Sequence, residues 1–362
     1  MNKNLRGIIL FVFIFTGKLS FGQADAEIAS MKAKAALKLE DEEQKYDEAI
    51  ILFREAQLLD PQNINYPYEI AYAYTEKKEY KKASDILETL LDHKDVFGMV
   101  YQALGNAYDN QGMREKAIQT YENGLKKFPN SGELYLELGN MQTVKKEYTK
   151  ALAYYEKGIE MDPRFPSNYY WAAKIFCSTE DEVWGMIYGE LFLNLERGST
   201  RATEINKMLF RVYKTQIKFS SDSTIGISFS KNAMIDAPDA KDPKKIKMPF
   251  GSVYEMAMSL AVVGEKQIDI NSLHSIRKKF LDEYFRDGSN KNYPNILFDY
   301  QNKIKDAGHL EAYDHWILMK GDEQVHKAWL VNNRPAWVSF FNWMKDNPIQ
   351  IDATHKFYRA QY

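Results

Sequence analysis

His309, His315, His326 and His355 are the residues of the C-terminal half best suited to chemistry. An imidazole can ligate a metal or carry a proton near neutral pH. Their spacings of 6, 11 and 29 residues do not put two of them on one helical turn, as an H-x3-H metal pair requires. Glu311 and Asp314 beside them could chelate only weakly, and histidines so scattered read as surface or hydrogen-bonded core residues. No G-x-S-x-G elbow and no glycine-rich phosphate loop occurs in the chain, so neither serine-nucleophile nor nucleotide chemistry is signalled. The single cysteine, Cys177, cannot form an internal disulfide and reads as a buried thiol. No catalytic residue, metal or cofactor is expected, and the chain reads as a binding protein rather than an enzyme.

The aromatic residues lead to the same choice. Trp316, Trp329, Trp337 and Trp343 are four of the six tryptophans, a density that points either to a tightly packed helical core or to an aromatic cleft. Hydrophobic residues make up 45% and charged residues 27% of the 362-residue chain, enough to bury a substantial core. A formal net charge of −2 argues against a general nucleic-acid binder, which carries a basic surface.

The elements that must position any site are announced by a repeat. Ala49, Ala83, Ala117 and Ala151 stand 34 residues apart, the interval of a two-helix unit. Phe53, Leu87, Tyr121 and Tyr155 follow at the same step, as do Tyr46, Tyr80, Arg114 and Tyr148. Pro61, Pro129 and Pro163 close three of the units, with Asp95 in the fourth such place. In the third unit Tyr101, Leu104, Gly105 and Tyr108 share one helical face, because residues three, four and seven apart meet. Gly112 supplies the positive φ that stops this helix. Ala117, Tyr121 and Gly124 line the second helix, and Pro129 ends it. The fourth unit repeats the pattern with Tyr135, Leu138, Gly139, Ala151, Tyr155, Gly158 and Pro163.

These columns resemble the tetratricopeptide repeat family. Gly98 to Pro129 follows its W-x2-L-G-x2-Y…A-x3-F…A…P pattern, with Tyr for Trp and Gly for the second Ala. Gln142 takes the tyrosine place of the fourth unit, the second unit lacks the glycine and the proline, and the first helix of unit one fits only with an insertion. A degenerate fifth unit starts near Pro166 and has Gly185 where the alanine belongs. The resemblance covers about 30–197 and implies an all-α fold, an α-solenoid of four to five helix pairs, followed by a helical C-terminal domain. It also implies a concave groove lined by first-helix residues that takes an extended peptide or a partner helix. Mapped onto this chain the groove residues are Tyr68 and Tyr72, then Gln102, Asn106 and Asp109, then Leu136 and Asn140, with Tyr170 and Lys174 from unit five. Asn106 and Asn140 lie one repeat apart, and an asparagine offers a peptide backbone both donor and acceptor. The family's carboxylate clamp of lysines and arginines is not expected, because Tyr68, Gln102 and Leu136 occupy its places.

Around the repeats the chain divides as follows. Lys3 and Arg6 precede an apolar run of 11 residues, Gly7 to Gly17, too short for a membrane span of about 20 residues. With Ser20 and Gly22 before the cut, 1–22 reads as a secretory signal peptide. Loss of Lys3, Arg6 and Lys18 takes the mature charge from −2 to −5. The solenoid occupies 23–197 and a capping helix follows at 198–219, N-capped by Thr200, with Ile205, Met208, Leu209, Val212, Tyr213 and Ile217 on one stripe. Residues 220–248 read as an irregular linker, with a short strand at Ile225, Ile227 and Phe229. From 249 to 362 the chain is helical again: one helix carries Val253, Met256, Ala257 and Leu260 on one face, the next is capped by Asn271, and separate helices cover Val325–Val331 and Ala336–Met344 around Pro335. The expected function is that of an exported adaptor, periplasmic or extracellular, holding a protein or peptide in the groove, with no nucleic acid and no transmembrane segment. The alternative is an enzyme or ligand-binding module in the C-terminal domain, with the repeats as its docking arm.

Overall fold

The computed structural model describes residues 21–220, 224–230 and 248–362. The proposed signal segment therefore lies almost wholly outside the described residues, as does most of the 220–248 linker. Eleven helices come first: α1 (Phe21–Asp41), α2 (Tyr46–Leu59), α3 (Asn65–Glu76), α4 (Tyr80–Leu90), α5 (Gly98–Asn110), α6 (Arg114–Lys127), α7 (Gly132–Val144), α8 (Tyr148–Met161), α9 (Pro166–Phe176), α10 (Glu182–Leu195) and α11 (Thr200–Gln216). The 34-residue step holds to the residue for every second helix and for first helices from α5 on, while α3 starts one residue late, at Asn65. Second helices begin at Tyr46, Tyr80, Arg114, Tyr148 and Glu182; first helices begin at Gly98, Gly132, Pro166 and Thr200. So α11 starts in phase with a sixth unit. Its second helix is replaced by a hairpin of β1 (Ile217–Phe219) and β2 (Ile225–Ile227), antiparallel with Lys218 opposite Gly226.

The reason for the register is visible in the columns. Ala49, Ala83, Ala117 and Ala151 are fully buried, with Leu87, Tyr121 and Tyr155 beside them. A Cβ added at Gly105 would lie 2.1 Å from the Tyr121 ring, and one at Gly158 would lie 2.2 Å from Asn168. These glycines are the slots into which large side chains of the neighbouring helix fit. The turns between first and second helices form another column: Gln44, Lys78, Gly112 and Lys146 all have positive φ, from 54° to 79°. Only Gly112 suits that left-handed backbone; for other residues it costs roughly 1–2 kcal/mol. Lys146→Gly is therefore expected to raise the melting temperature, by about 1 kcal/mol of stability, and thermal denaturation checks it.

The chain forms two compact bodies that divide at Met141 and Gln142. In the first, α1 packs on α2, and α2 to α5 pack in sequence, with α5 against α6. The second contains α8 to α11 together with α12 (Phe250–Ala261), α13 (Ile270–Arg286), α14 (Ser289–Asn292), α15 (Ile296–Asp306), α16 (Leu310–Leu318) and α17 (Glu323–Asp346). The repeat signature and the packing units thus partition the chain differently. Within the second body α10 is central: 12 of its 14 residues are buried, Glu190 and Asn194 included. A helix apolar all round must be covered on every side, and α9, α11 and α15 cover it.

Several sequence expectations need correction in detail. Ser199, not Thr200, caps α11, its hydroxyl accepting from the Ala202 N–H at 3.0 Å. Asp269, not Asn271, caps α13, in a capping box with Ser272. The buried face of α12 carries Val253, Tyr254, Ala257 and Met258, whereas Met256 and Leu260 are exposed. The two helices expected around Pro335 run on without a gap as α17, and the backbone leaves helical geometry between them at Asn333 (φ −116°, ψ 17°), a kink rather than a loop. Pro335 lacks an N–H and crowds the preceding turn, and the Asn333 side chain donates to the Trp329 carbonyl at 2.9 Å across the bend. Of the four C-terminal tryptophans only Trp316 is buried; Trp329, Trp337 and Trp343 are half-buried.

Candidate functional site

In the first body the groove residues of α3, α5 and α7 lie on half-buried positions of adjoining first helices. The Tyr68 ring meets Phe97 edge-on at 5.1 Å, and Tyr72 follows one turn later. Asn106 is fixed from behind: its Oδ1 accepts from the Tyr121 hydroxyl at 2.6 Å. That hydroxyl belongs to the ring seated in the Gly105 slot, so repeat packing sets the position of the asparagine. Gln102 Nε2 donates to Glu137 Oε1 at 2.8 Å, and Asn140 Nδ2 donates to Glu137 Oε2 at 3.1 Å. Asn106 also bonds the same carboxyl, and Asp109 adds negative charge nearby. Asp109 pairs with Arg114 Nε at 3.5 Å. Leu136 stands beside Glu137, half-buried.

The structure thus brings Gln102, Asn106 and Asn140 together on Glu137, a residue the sequence reading passed over. Burial pushes the Glu137 carboxyl up from its ordinary range, and the bonds from Gln102, Asn140 and Asn106 only partly oppose this. Its position one residue beyond the Gln102 column was the available signal: Gln102 and Glu137 are 35 apart, which sets them side by side on consecutive first helices. The arrangement is a polar strip of three amides around one carboxyl, flanked by tyrosines and a leucine. It can exchange hydrogen bonds with a backbone and accept a cation.

Tyr170 and Lys174 lie in the second body. Tyr170 is buried, its hydroxyl donates to Glu204, and Lys174 pairs with Glu204 at 2.8 Å. Both side chains thus join α9 to α11. The other polar concentration in this body is buried. Arg277 makes two bonds to Glu190 at 2.6 and 2.9 Å, one to the Tyr213 hydroxyl at 2.7 Å and one to Asp314 at 2.6 Å. Gln301 and Tyr313 donate to Glu190 at 2.7 and 3.1 Å, and Asp314 meets His274 Nδ1 at 2.8 Å. Burial works against the charged imidazole of His274, but the bond to Asp314 and its charge raise its pKa. The adjacent cavity, lined by Met186, Tyr254 and Phe298 among others, is about 10 Å³, room for about one water. Cys177 is buried, which pushes its thiol up and leaves it inert.

Comparison with known proteins agrees with the repeat reading. Residues 42–106 and 103–166 each match a tetratricopeptide repeat model. The N-terminal half of the chain carries tetratricopeptide repeats; no family model matches the C-terminal part. No curated protein matches the chain. Among solved structures it is similar to TTC0263, a thermophilic TPR protein of Thermus thermophilus, at 18% identity over 50% of this chain and 98% of that one, TM-score 0.42. It is similar to PilF of Pseudomonas aeruginosa at 19% identity over 52% and 86%, TM-score 0.43. A third is YrrB, described as a TPR protein with an unusual peptide-binding site, at 19% identity over 52% and 98%, TM-score 0.34. No helix among the described residues is long and apolar enough to cross a membrane.

Proposed function

We propose that this chain is an exported adaptor whose repeats hold an extended segment of a partner protein, on the face formed by α3, α5 and α7. Tetratricopeptide repeats are protein-interaction scaffolds, which supports the general reading. The observation that carries the specific one is the convergence of Gln102, Asn106 and Asn140 on Glu137, between Tyr68, Tyr72 and Leu136. Amides already held in place lose little freedom when they bond a backbone, so less binding energy is spent on ordering. The tyrosines and the leucine supply apolar area for side chains of the segment. Asp109 and Glu137 favour a segment that is neutral to basic.

Losing a hydrogen bond to a bound backbone costs about 0.5–1.5 kcal/mol, more where a partner group is left buried and unpaired. Asn106→Ala combined with Asn140→Ala should therefore weaken binding about tenfold or more. The measurement uses peptides selected on the wild-type protein from a random display library, with affinities taken by calorimetry and helicity by circular dichroism. Equal affinities for wild type and the double variant would place the binding face elsewhere.

Export rests on the basic–apolar–small order of residues 1–22. Cleavage after Gly22 removes only the first two residues of α1 and leaves Gln23 as the amino terminus. Mass spectrometry of the mature protein tests this; an intact Met1 in the cytoplasm would refute it.

A further inference from the structure

Carboxylates are rarely buried in proteins unless a cation pairs with them, and the second body keeps to this. Glu190 and Asp314 share Arg277, Glu156 meets Arg359 at 2.8 Å, and Glu196 meets Arg201. Glu137 in the first body departs from it. Burial is the largest influence on its carboxyl, yet among the described residues no lysine, arginine or histidine forms an ion pair with it. The neighbouring Asp109 does have such a partner, Arg114, and only deepens the negative field at Glu137. Three neutral amides stand where a cation would. Gln102 Nε2 bonds Oε1 at 2.8 Å, Asn140 Nδ2 bonds Oε2 at 3.1 Å, and Asn106 bonds the same carboxyl. A carboxylate only accepts, so the amide nitrogens are the donors, and of its roughly four lone-pair sites about one is left open. Asn106 cannot turn round, because its oxygen already accepts from the Tyr121 hydroxyl at 2.6 Å. Glu137 as a whole is half-buried, so it stays open to a group arriving from solvent.

On the premise that the face of α3, α5 and α7 holds the partner segment, we propose that Glu137 seats a lysine of that segment, whose ammonium takes the lone-pair site the three amides leave open. A neutral donor could fill the site but would leave the carboxylate's charge unpaired. A guanidinium brings charge, but its planar fork needs both carboxylate oxygens in one plane. Here Gln102 occupies one oxygen and Asn140 the other. An ammonium is a compact point charge that needs only one acceptor, so lysine fits where arginine does not. Its apolar stem can lie along Leu136, half-buried beside Glu137. Glu137 is thereby the residue that sets which segments the groove takes, while the asparagines hold the backbone of any of them.

The test selects random display libraries in parallel on the full chain of wild type and of Glu137→Gln, which keeps the side chain's shape and removes its charge. Wild type should return peptides with a lysine at one fixed place relative to their apolar residues; Glu137→Gln should not. In a peptide selected on wild type, norleucine in place of that lysine keeps the stem without the charge. It should weaken binding to wild type about tenfold or more and leave binding to Glu137→Gln nearly unchanged. A carbodiimide, which condenses a carboxyl and an amine in contact into an amide, should join the lysine to Glu137 of wild type. That readout decides by itself should Glu137→Gln fold poorly. Peptides with no fixed lysine, arginine in its place, equal losses on both proteins, or carbodiimide adducts on other carboxyls alone would each overturn the proposal. The groove reading is judged separately on the same peptides: if Asn106→Ala with Asn140→Ala still weakens their binding, that reading stands and only the lysine seat fails. If the double variant binds them as tightly as wild type, both fail.

Discussion

Replacing Arg277 with methionine is expected to remove about 3–5 kcal/mol of stability, the usual cost of breaking a buried ion pair from one side. Methionine fills much of the same volume, so the loss is electrostatic rather than a cavity. Among the described residues Arg277 is the one cation bonded to both Glu190 and Asp314, and all three side chains are buried. Without it two carboxylates remain in the protein interior, bonded to the neutral Gln301 and Tyr313 and to His274. Adding Glu190→Gln and Asp314→Asn to Arg277→Met should recover part of the loss, because uncharged amides are far less costly to bury. Urea denaturation measures both. A loss under about 1 kcal/mol for the single change would mean that the network is solvated and of little structural weight.

Ala117→Arg is expected to be comparably severe, at several kcal/mol, and Ala151→Arg likewise. Both alanines are fully buried, on helices α6 and α8 that pack against α5 and α9 respectively, so a long cation is both overpacked and desolvated. The consequence reaches function. Ala117 stands one turn before Tyr121, whose hydroxyl fixes Asn106; a displaced α6 would therefore release the amide strip as well as lower the melting temperature. Thermal melts that leave either variant unchanged would show that the repeat register is wrong.

These two positions also mark how far the sequence could be read. Ala117 was legible because a repeat writes its packing rule several times, and one column of small residues suffices to set the helix starts at Tyr46, Tyr80, Arg114, Tyr148 and Glu182. The in-phase start of α11 at Thr200 was present in the same arithmetic. The sequence shows only a capping helix there because the unit's second half turns into the Ile217–Ile227 hairpin and leaves no second column. Arg277 was not legible. Its partners Glu190, Tyr213 and Asp314 come from α10, α11 and α16, and no periodic pattern encodes a pairing 87 residues apart. The one hint was Glu190, the single charged residue in the mostly apolar run from Trp184 to Leu195, which implies a buried counter-charge. The helix caps at Ser199 and Asp269 were missed by one and two residues, since adjacent Ser, Thr, Asp and Asn are all good caps and tertiary context chooses among them.

In the groove, sequence columns found the amides but not what they point at. Asn106 and Asn140 share a column, whereas Glu137 belongs to none, and only the placement of consecutive first helices brings it between them. Crosslinking tests that placement as a binding face most directly. A photoreactive benzophenone side chain is introduced in place of Leu136, beside Glu137, and separately in place of Leu58, an exposed residue on second helix α2. Each protein is illuminated with a display-selected peptide, and adducts are mapped by mass spectrometry. Binding on the first helices predicts adducts from position 136 that disappear with excess unlabelled peptide, and none from position 58. Adducts from position 58 alone would contradict it and move the binding face off the first helices.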